Sequence, residues 1–151
     1  MLIPSVRLIY IYDSYPALRK FRVKILGHQW FWEYENFAHR AQGKNRFRSY
    51  ITPLEKDFKK DMFRLLDSSR RLLVPVEIPL RALITSDDVL HSWAVPALGV
   101  KADACPGRLN EILLYARRTG LFFGQCSEIC GANHRFIPII VKAVRSQFWL
   151  N

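Results

Sequence analysis

The chain has 151 residues, 50% of them apolar, 13% aromatic and 24% charged, which suits one domain with a buried core and excludes a disordered tail. Its 23 Lys and Arg against 13 Asp and Glu give a net charge of +10, and its 3 cysteines are too few for a disulfide-rich scaffold. The charge is uneven: residues 1–79 carry 15 bases and 8 acids, residues 80–140 carry 6 and 5, and the last eleven add two bases. Such an excess fits nucleic acid or an anionic membrane, and equally a solvated surface or a face docked on another subunit. Aromatic and basic residues do not interleave along one strand, so nucleic acid is not expected as a partner.

In chain order, residues 2–12 form a short apolar stub, broken by Pro4 and Arg7. It falls short of the ~20 residues that span a bilayer and lacks the order of a secretory signal. Residues 21–34 are rich in β-branched and aromatic side chains and predict strand, with Gly27 as a bulge or a close backbone approach. Residues 41–48 predict a polar loop, 49–53 a short strand and 55–60 a charged connection. Residues 62–66 and 70–74 flank Asp67-Ser68-Ser69 and predict a hairpin. Pro75 and Pro79 belong at the start or edge of a strand over 78–86. Residues 89–93 predict a further strand and Cys105-Pro106-Gly107 a turn. Residues 108–117 and 120–124 predict a hairpin pair, and 135–144 a closing strand. Short strands punctuated every ~8–12 residues predict an all-β sandwich or barrel with Greek-key connections.

The chemistry concentrates in Gly124-Gln125-Cys126-Ser127-Glu128-Ile129-Cys130-Gly131-Ala132-Asn133-His134, two thiols and an imidazole bracketed by glycines. Soft thiolates with imidazole select copper, zinc or an iron–sulfur cluster. A fourth ligand must come from His28, His39, His91 or Cys105. His91, at the end of an apolar strand, is placed to reach the loop from a neighbouring strand. A Cys-x3-Cys pair or a lone histidine is a weak signal by itself; the combination is far stronger.

The Cys126-Ser127-Glu128-Ile129-Cys130-Gly131-x-Asn133-His134 string resembles subunit II of cytochrome c oxidase. So do Leu90-His91-Ser92-Trp93, Gly27-His28-Gln29-Trp30-Phe31-Trp32-Glu33-Tyr34-Glu35, Asp103-x-x-Pro106-Gly107-Arg108-Leu109-Asn110 and Pro79-x-Arg81. The matches run in order over nearly the whole chain. Residues 3–8 resemble the tail of that subunit's second transmembrane helix, so residues 1–19 are read as an interface stub and 20–151 as the domain. The two spanning helices themselves have no counterpart, and a split subunit is expected, with a separate polypeptide carrying them; trimming of a longer precursor, or a soluble fragment of it, is the alternative.

The resemblance implies a cupredoxin-like β-barrel holding two copper ions, which takes electrons from cytochrome c and passes them to haem in oxidase subunit I. Carried over by position, the copper ligands are His91, Cys126, Cys130, His134 and the Glu128 carbonyl, with the Glu128 side chain on a magnesium ion shared with subunit I. Trp30 matches the aromatic of electron entry, and Glu35, Asp87 and Asp88 match or adjoin acids of the cytochrome c docking face. Asp103 and Arg108 fall at the subunit I boundary, Cys105 reads as a buried inert thiol, and His28 and His39 read as structural or surface residues. The implied place is the intermembrane-space side of the mitochondrial inner membrane, reached through partners.

The sequence departs from the family at Ile137, where a methionine is the weak ligand to one copper. One copper then has lower coordination, another group substitutes, or a mitochondrial code reads that codon as methionine. A zinc or thiol-redox module and the copper domain of a nitrous oxide reductase remain alternatives.

Overall fold

The computed structural model describes residues 2–14, 21–37, 45–52, 63 and 65–150. His39 and the charged connection expected at 55–60 lie outside them. Helix α1 (Leu2–Ser14) opens the chain. Pro4 sits in its first turn, where a missing N–H costs no intrahelical bond. Ten strands follow among the described residues: β1 (Phe21–His28), β2 (Phe31–Phe37), β3 (Asn45–Ser49), β4 (Leu72–Pro75), β5 (Leu80–Ser86), β6 (His91–Val95), β7 (Val100–Ala104), β8 (Asn110–Leu114), β9 (Gly120–Cys126) and β10 (Pro138–Val144). A short helix, α2 (Ser146–Leu150), ends the described chain.

The strands make two five-stranded sheets, ordered β3-β2-β1-β5-β8 and β4-β10-β9-β6-β7. The pairs β1–β5 and β4–β10 are parallel and the other ladders antiparallel, so the chain crosses repeatedly between sheets. This is the cupredoxin-like all-β architecture the sequence predicts. Burial alternates strictly along β5, with Leu80, Ala82, Ile84 and Ser86 turned inward. Leu80, Ala82 and Ile84 meet Trp93 and Val95 of β6, Phe122 of β9 and Ile139 and Val141 of β10 in a single core. Strand β6 is buried along its whole length, which holds His91 to one position.

Four local expectations are corrected. Residues 45–48 are strand, not loop. Their polar side chains are tolerated because β3 places Arg46 opposite Glu35 and Arg48 opposite Glu33 on β2, and opposite charges across a ladder favour pairing. The strand expected at 49–53 ends at Ser49, with Ile51 making one isolated bridge to Ser68. Among the described residues the hairpin expected between 62–66 and 70–74 is not found: Leu65 and Leu66 lie in a turn, and β4 pairs instead with β10, where Leu72 and Val74 are buried. Strands β8 and β9 are no hairpin either, since they lie in different sheets and the segment 115–119 carries the chain between them.

Candidate metal centre

The ends of three elements converge at one rim of the barrel. His91 opens β6, Cys126 closes β9, and Cys130 lies in the loop that leads to a 3-10 turn at His134–Phe136. The loop is stitched to both neighbours: the Cys126 amide donates to the Ile137 carbonyl at 3.2 Å and the Ser127 amide to the Ser92 carbonyl at 3.0 Å. Gly131 takes φ +120°, a left-handed conformation that suits glycine, and a Cβ there would press on the Gln29 and Trp30 side chains. Gly27 is the close approach expected of it, since a Cβ would lie 2.9 Å from the His91 ring.

Donor atoms of His91, Cys126 and Cys130 lie within 4.8 Å of one another, all buried. Cys126 Sγ is 3.8 Å from His91 Nδ1 and 3.9 Å from Cys130 Sγ, and the thiols are not disulfide-bonded. His134 joins through its Nδ1, 3.5 Å from Cys130 Sγ. The Glu128 backbone carbonyl faces the same point, 3.4 Å from Cys126 Sγ. Five predicted ligand groups are therefore brought together from positions 91 to 134.

Electrostatics distinguishes the two thiols. Burial pushes the Cys126 thiol up, but hydrogen bonds from His91 and the Ser92 and Glu128 backbone outweigh it and favour the thiolate. Burial and then the neighbouring Cys126 charge push the Cys130 thiol well up. Burial lowers the His91 imidazole, but Cys126 and Asp88 more than reverse it. A cluster of two sulfurs and two imidazoles, all buried but the half-buried His134, that already favours one thiolate suits a metal such as copper or zinc.

Around the donors sits a second set of contacts. The β1–β2 turn clamps the Cys130 carbonyl, which accepts from Gln29 Nε2 at 2.8 Å and Trp30 Nε1 at 3.2 Å. Asp88 Oδ1 is 2.8 Å from His91 Nε2, while Asp88 also accepts from the Gln29 and Val89 amides, each at 2.6 Å. Trp32 meets the His91 ring edge-on at 5.8 Å.

The acids named from the sequence divide. Asp88 borders the cluster and is largely engaged within the chain. Asp87 is exposed in the same loop, 3.7 Å from His28 Nδ1. Glu35 lies on β2 opposite Lys24 and Arg46, along the outer face of the first sheet. Cys105 is half-buried rather than buried, so the expectation of a fully enclosed thiol is corrected. Asp103 and Arg108 are exposed. Sequence reasoning missed Gln29 as a clamp, Asp88 as a partner of His91, and Glu33, a buried carboxylate that accepts from Arg46 Nε and from Arg48 Nε at 3.1 Å. The one available signal was the three-residue spacing of Asp88 and His91.

A two-sheet barrel with thiols and imidazoles gathered at its rim defines a cupredoxin-like domain with a candidate metal centre. The model of the family cytochrome c oxidase subunit II, periplasmic domain, matches residues 21–144, and the chain belongs to that family. Among solved structures, it is similar to the periplasmic domain of subunit II of cytochrome oxidase (CoxB) of Bradyrhizobium japonicum, at 39% identity and a TM-score of 0.75, over 87% of this chain and 88% of that one. It also resembles a subunit II domain captured in a mixed disulfide with the thioredoxin-like protein TlpA, at 37% identity and a TM-score of 0.68, over 87% of each chain. A haem-copper terminal oxidase dimer shares the fold at 15% identity and a TM-score of 0.54, over 95% of this chain and 92% of that one. Family membership gives the chain the electron-transfer role of an oxidase subunit II, in association with subunit I, and implies copper binding.

Proposed function

We propose that His91, Cys126, Cys130, His134 and the Glu128 carbonyl would hold two copper ions. The observation that carries this reading is the convergence of two buried thiols and an imidazole within 4.8 Å, with His134 beside Cys130. When bound, the copper pair would supply one-electron chemistry, as a relay between cytochrome c and haem in subunit I requires. The protein's part is rigidity: β6 is fully buried, and the clamped Cys130 carbonyl and the Asp88–His91 contact limit movement of the donors, which keeps reorganisation small.

Trp30 is proposed as the point of electron entry. Its half-buried indole reaches the Cys130 backbone by one hydrogen bond, giving a short path from the surface to the sulfur. Asp87, Asp88 and Glu35 are proposed to orient a basic cytochrome c, the first through its exposed carboxylate. The Glu128 carboxylate is proposed to share a magnesium ion with subunit I. Helix α1, whose Leu2, Ile3, Leu8, Ile9 and Ile11 are exposed, is proposed to dock on the membrane-spanning part of the oxidase. No described helix is long and apolar enough to cross a membrane. The compartment proposed is the intermembrane-space side of the mitochondrial inner membrane, although the solved neighbour of known source is bacterial; fractionation of the native complex tests it.

Metal analysis with electron paramagnetic resonance on the native complex decides the central claim. Two coppers per chain with one spin shared by both nuclei is expected; one silent zinc per chain overturns it. The thiol-redox reading is favoured by one observation, the mixed disulfide of the relative with a thioredoxin-like protein. Loss of both thiols to a disulfide in the working complex would establish it in place of copper.

A further inference from the structure

At the end of β9 opposite the thiols lies an apolar groove of about 360 Å³, walled by Leu121, Ala143, Val144 and Phe148 and edged by Lys142 and Arg145. Cys126 lies six steps along the strand from Gly120, about 20 Å at ~3.3 Å per step, so this surface is distinct from the rim that carries the donor cluster. Its wall is held open by α2. Trp149 stacks edge-on against Phe21 at 5.1 Å and donates through Nε1 to the Leu73 carbonyl at 3.1 Å. Anchoring Trp149 turns its neighbour Phe148 outward, where it stays 69% exposed. Leu121 beside it is also exposed, across the ladder from Lys142. Phe148 and Arg145 lie beyond the stretch that the family model matches.

An exposed phenyl ring held in place over an apolar trough is a docking feature rather than a solvated surface. The charges around it have one sign. Lys142 and Arg145 border the trough, Arg118 stands in the exposed turn that leads into it, and no acid lines it among the described residues. The recess of about 360 Å³ between strand and helix can be filled by a single side chain, whereas a bilayer meets a surface as a plane. We propose that this groove binds an acidic segment of another subunit, which inserts an apolar side chain against Phe148 and Leu121 and sets carboxylates on Lys142 and Arg145. The proposal rests on membership of a multisubunit oxidase and not on copper at the opposite rim.

The test uses the intact oxidase complex. Zero-length carbodiimide cross-linking joins a lysine only to a carboxylate in contact, and hydroxyl-radical footprinting reads the exposure of Phe148. We expect Lys142 to be cross-linked to an Asp or Glu of a different subunit, and Phe148 oxidation to fall at least fivefold relative to the isolated chain. Phe148→Ser and Lys142→Glu should each release that subunit on native gels, while the circular dichroism melt of the isolated chain stays in place. Four results overturn the proposal: equal Phe148 oxidation in complex and isolated chain, a cross-link within the same chain, a cross-link to a second copy, or protection reproduced by anionic phosphatidylserine vesicles alone.

Discussion

At the scale of single residues, two positions separate metal chemistry from folding. Asp88 holds His91 by its Nε2, leaving Nδ1 toward Cys126. Removing such an outer carboxylate typically weakens metal binding ~10–100-fold. Asp88→Ala is expected to lose copper to a competing chelator in that range, and Asp88→Asn, which keeps an acceptor without the charge, by less. Wild-type retention in both variants would contradict the role. Ile137 is the second position. It is 1% exposed, packed in the core that includes both thiols, and its carbonyl holds the Cys126 amide. Methionine has nearly the same volume, so Ile137→Met should cost less than about 1.5 kcal/mol. Copper retention and the copper–thiolate absorption should nevertheless change, because a thioether is added where no donor stood. The donor residues were legible in the sequence because thiols and imidazoles are rare and cluster in a glycine-bracketed loop. Asp88 was legible only as an acid, since its direction depends on a loop conformation set by Ser86 and the Gln29 amide.

Elements obey packing that composition does not announce. Strand β9 crosses β6 so closely that a Cβ on Gly124 would lie 1.9 Å from the Ala94 carbonyl oxygen. Backbone cannot yield as a side chain does, so Gly124→Ala should destabilise by about 3 kcal/mol. Gly99, at φ +67° with nothing near its Cβ position, should lose only about 1–2 kcal/mol to alanine. Chemical denaturation of both variants checks the contrast. Strand β3 shows why a polar run was misread as loop: its stability resides in the cross-strand ion pairs of Glu33, visible only once the partner strand is known. Burial raises the Glu33 carboxyl, but hydrogen bonds from Arg46 and Arg48 hold it below its ordinary 4.5. The sign follows: this stabilisation is full above the unfolded-state value and is lost as pH falls through the lower folded one. Glu33→Gln should therefore cost about 1–3 kcal/mol at neutral pH, with the gap from wild type closing on acidification. A constant gap across an acid denaturation series would refute it.

Over the whole molecule, fold class and the rim cluster came through from sequence, while the pairing of strands did not. Alternating burial such as that of β5 is local to a strand, but which sheet a strand joins is decided by contacts as distant as Val74 with Ala143. The same distinction between local and global organisation bears on the first helix. All side chains described in α1, from Leu2 to Ile11, are exposed, whereas the barrel closes its own core between the sheets. The helix thus adds apolar surface that the domain does not bury, and its removal should leave domain stability nearly unchanged. Deleting residues 1–20 is expected to shift Tm by no more than about 2 °C, matching the ~0.5 kcal/mol typical of changes outside the core. The same deletion should abolish incorporation into the oxidase, because it removes the exposed Leu and Ile side chains proposed to dock. Thermal melts of the isolated chain together with native gels of the assembled complex test both halves. A large fall in Tm would place α1 against the barrel, and normal assembly would remove its role as the docking helix.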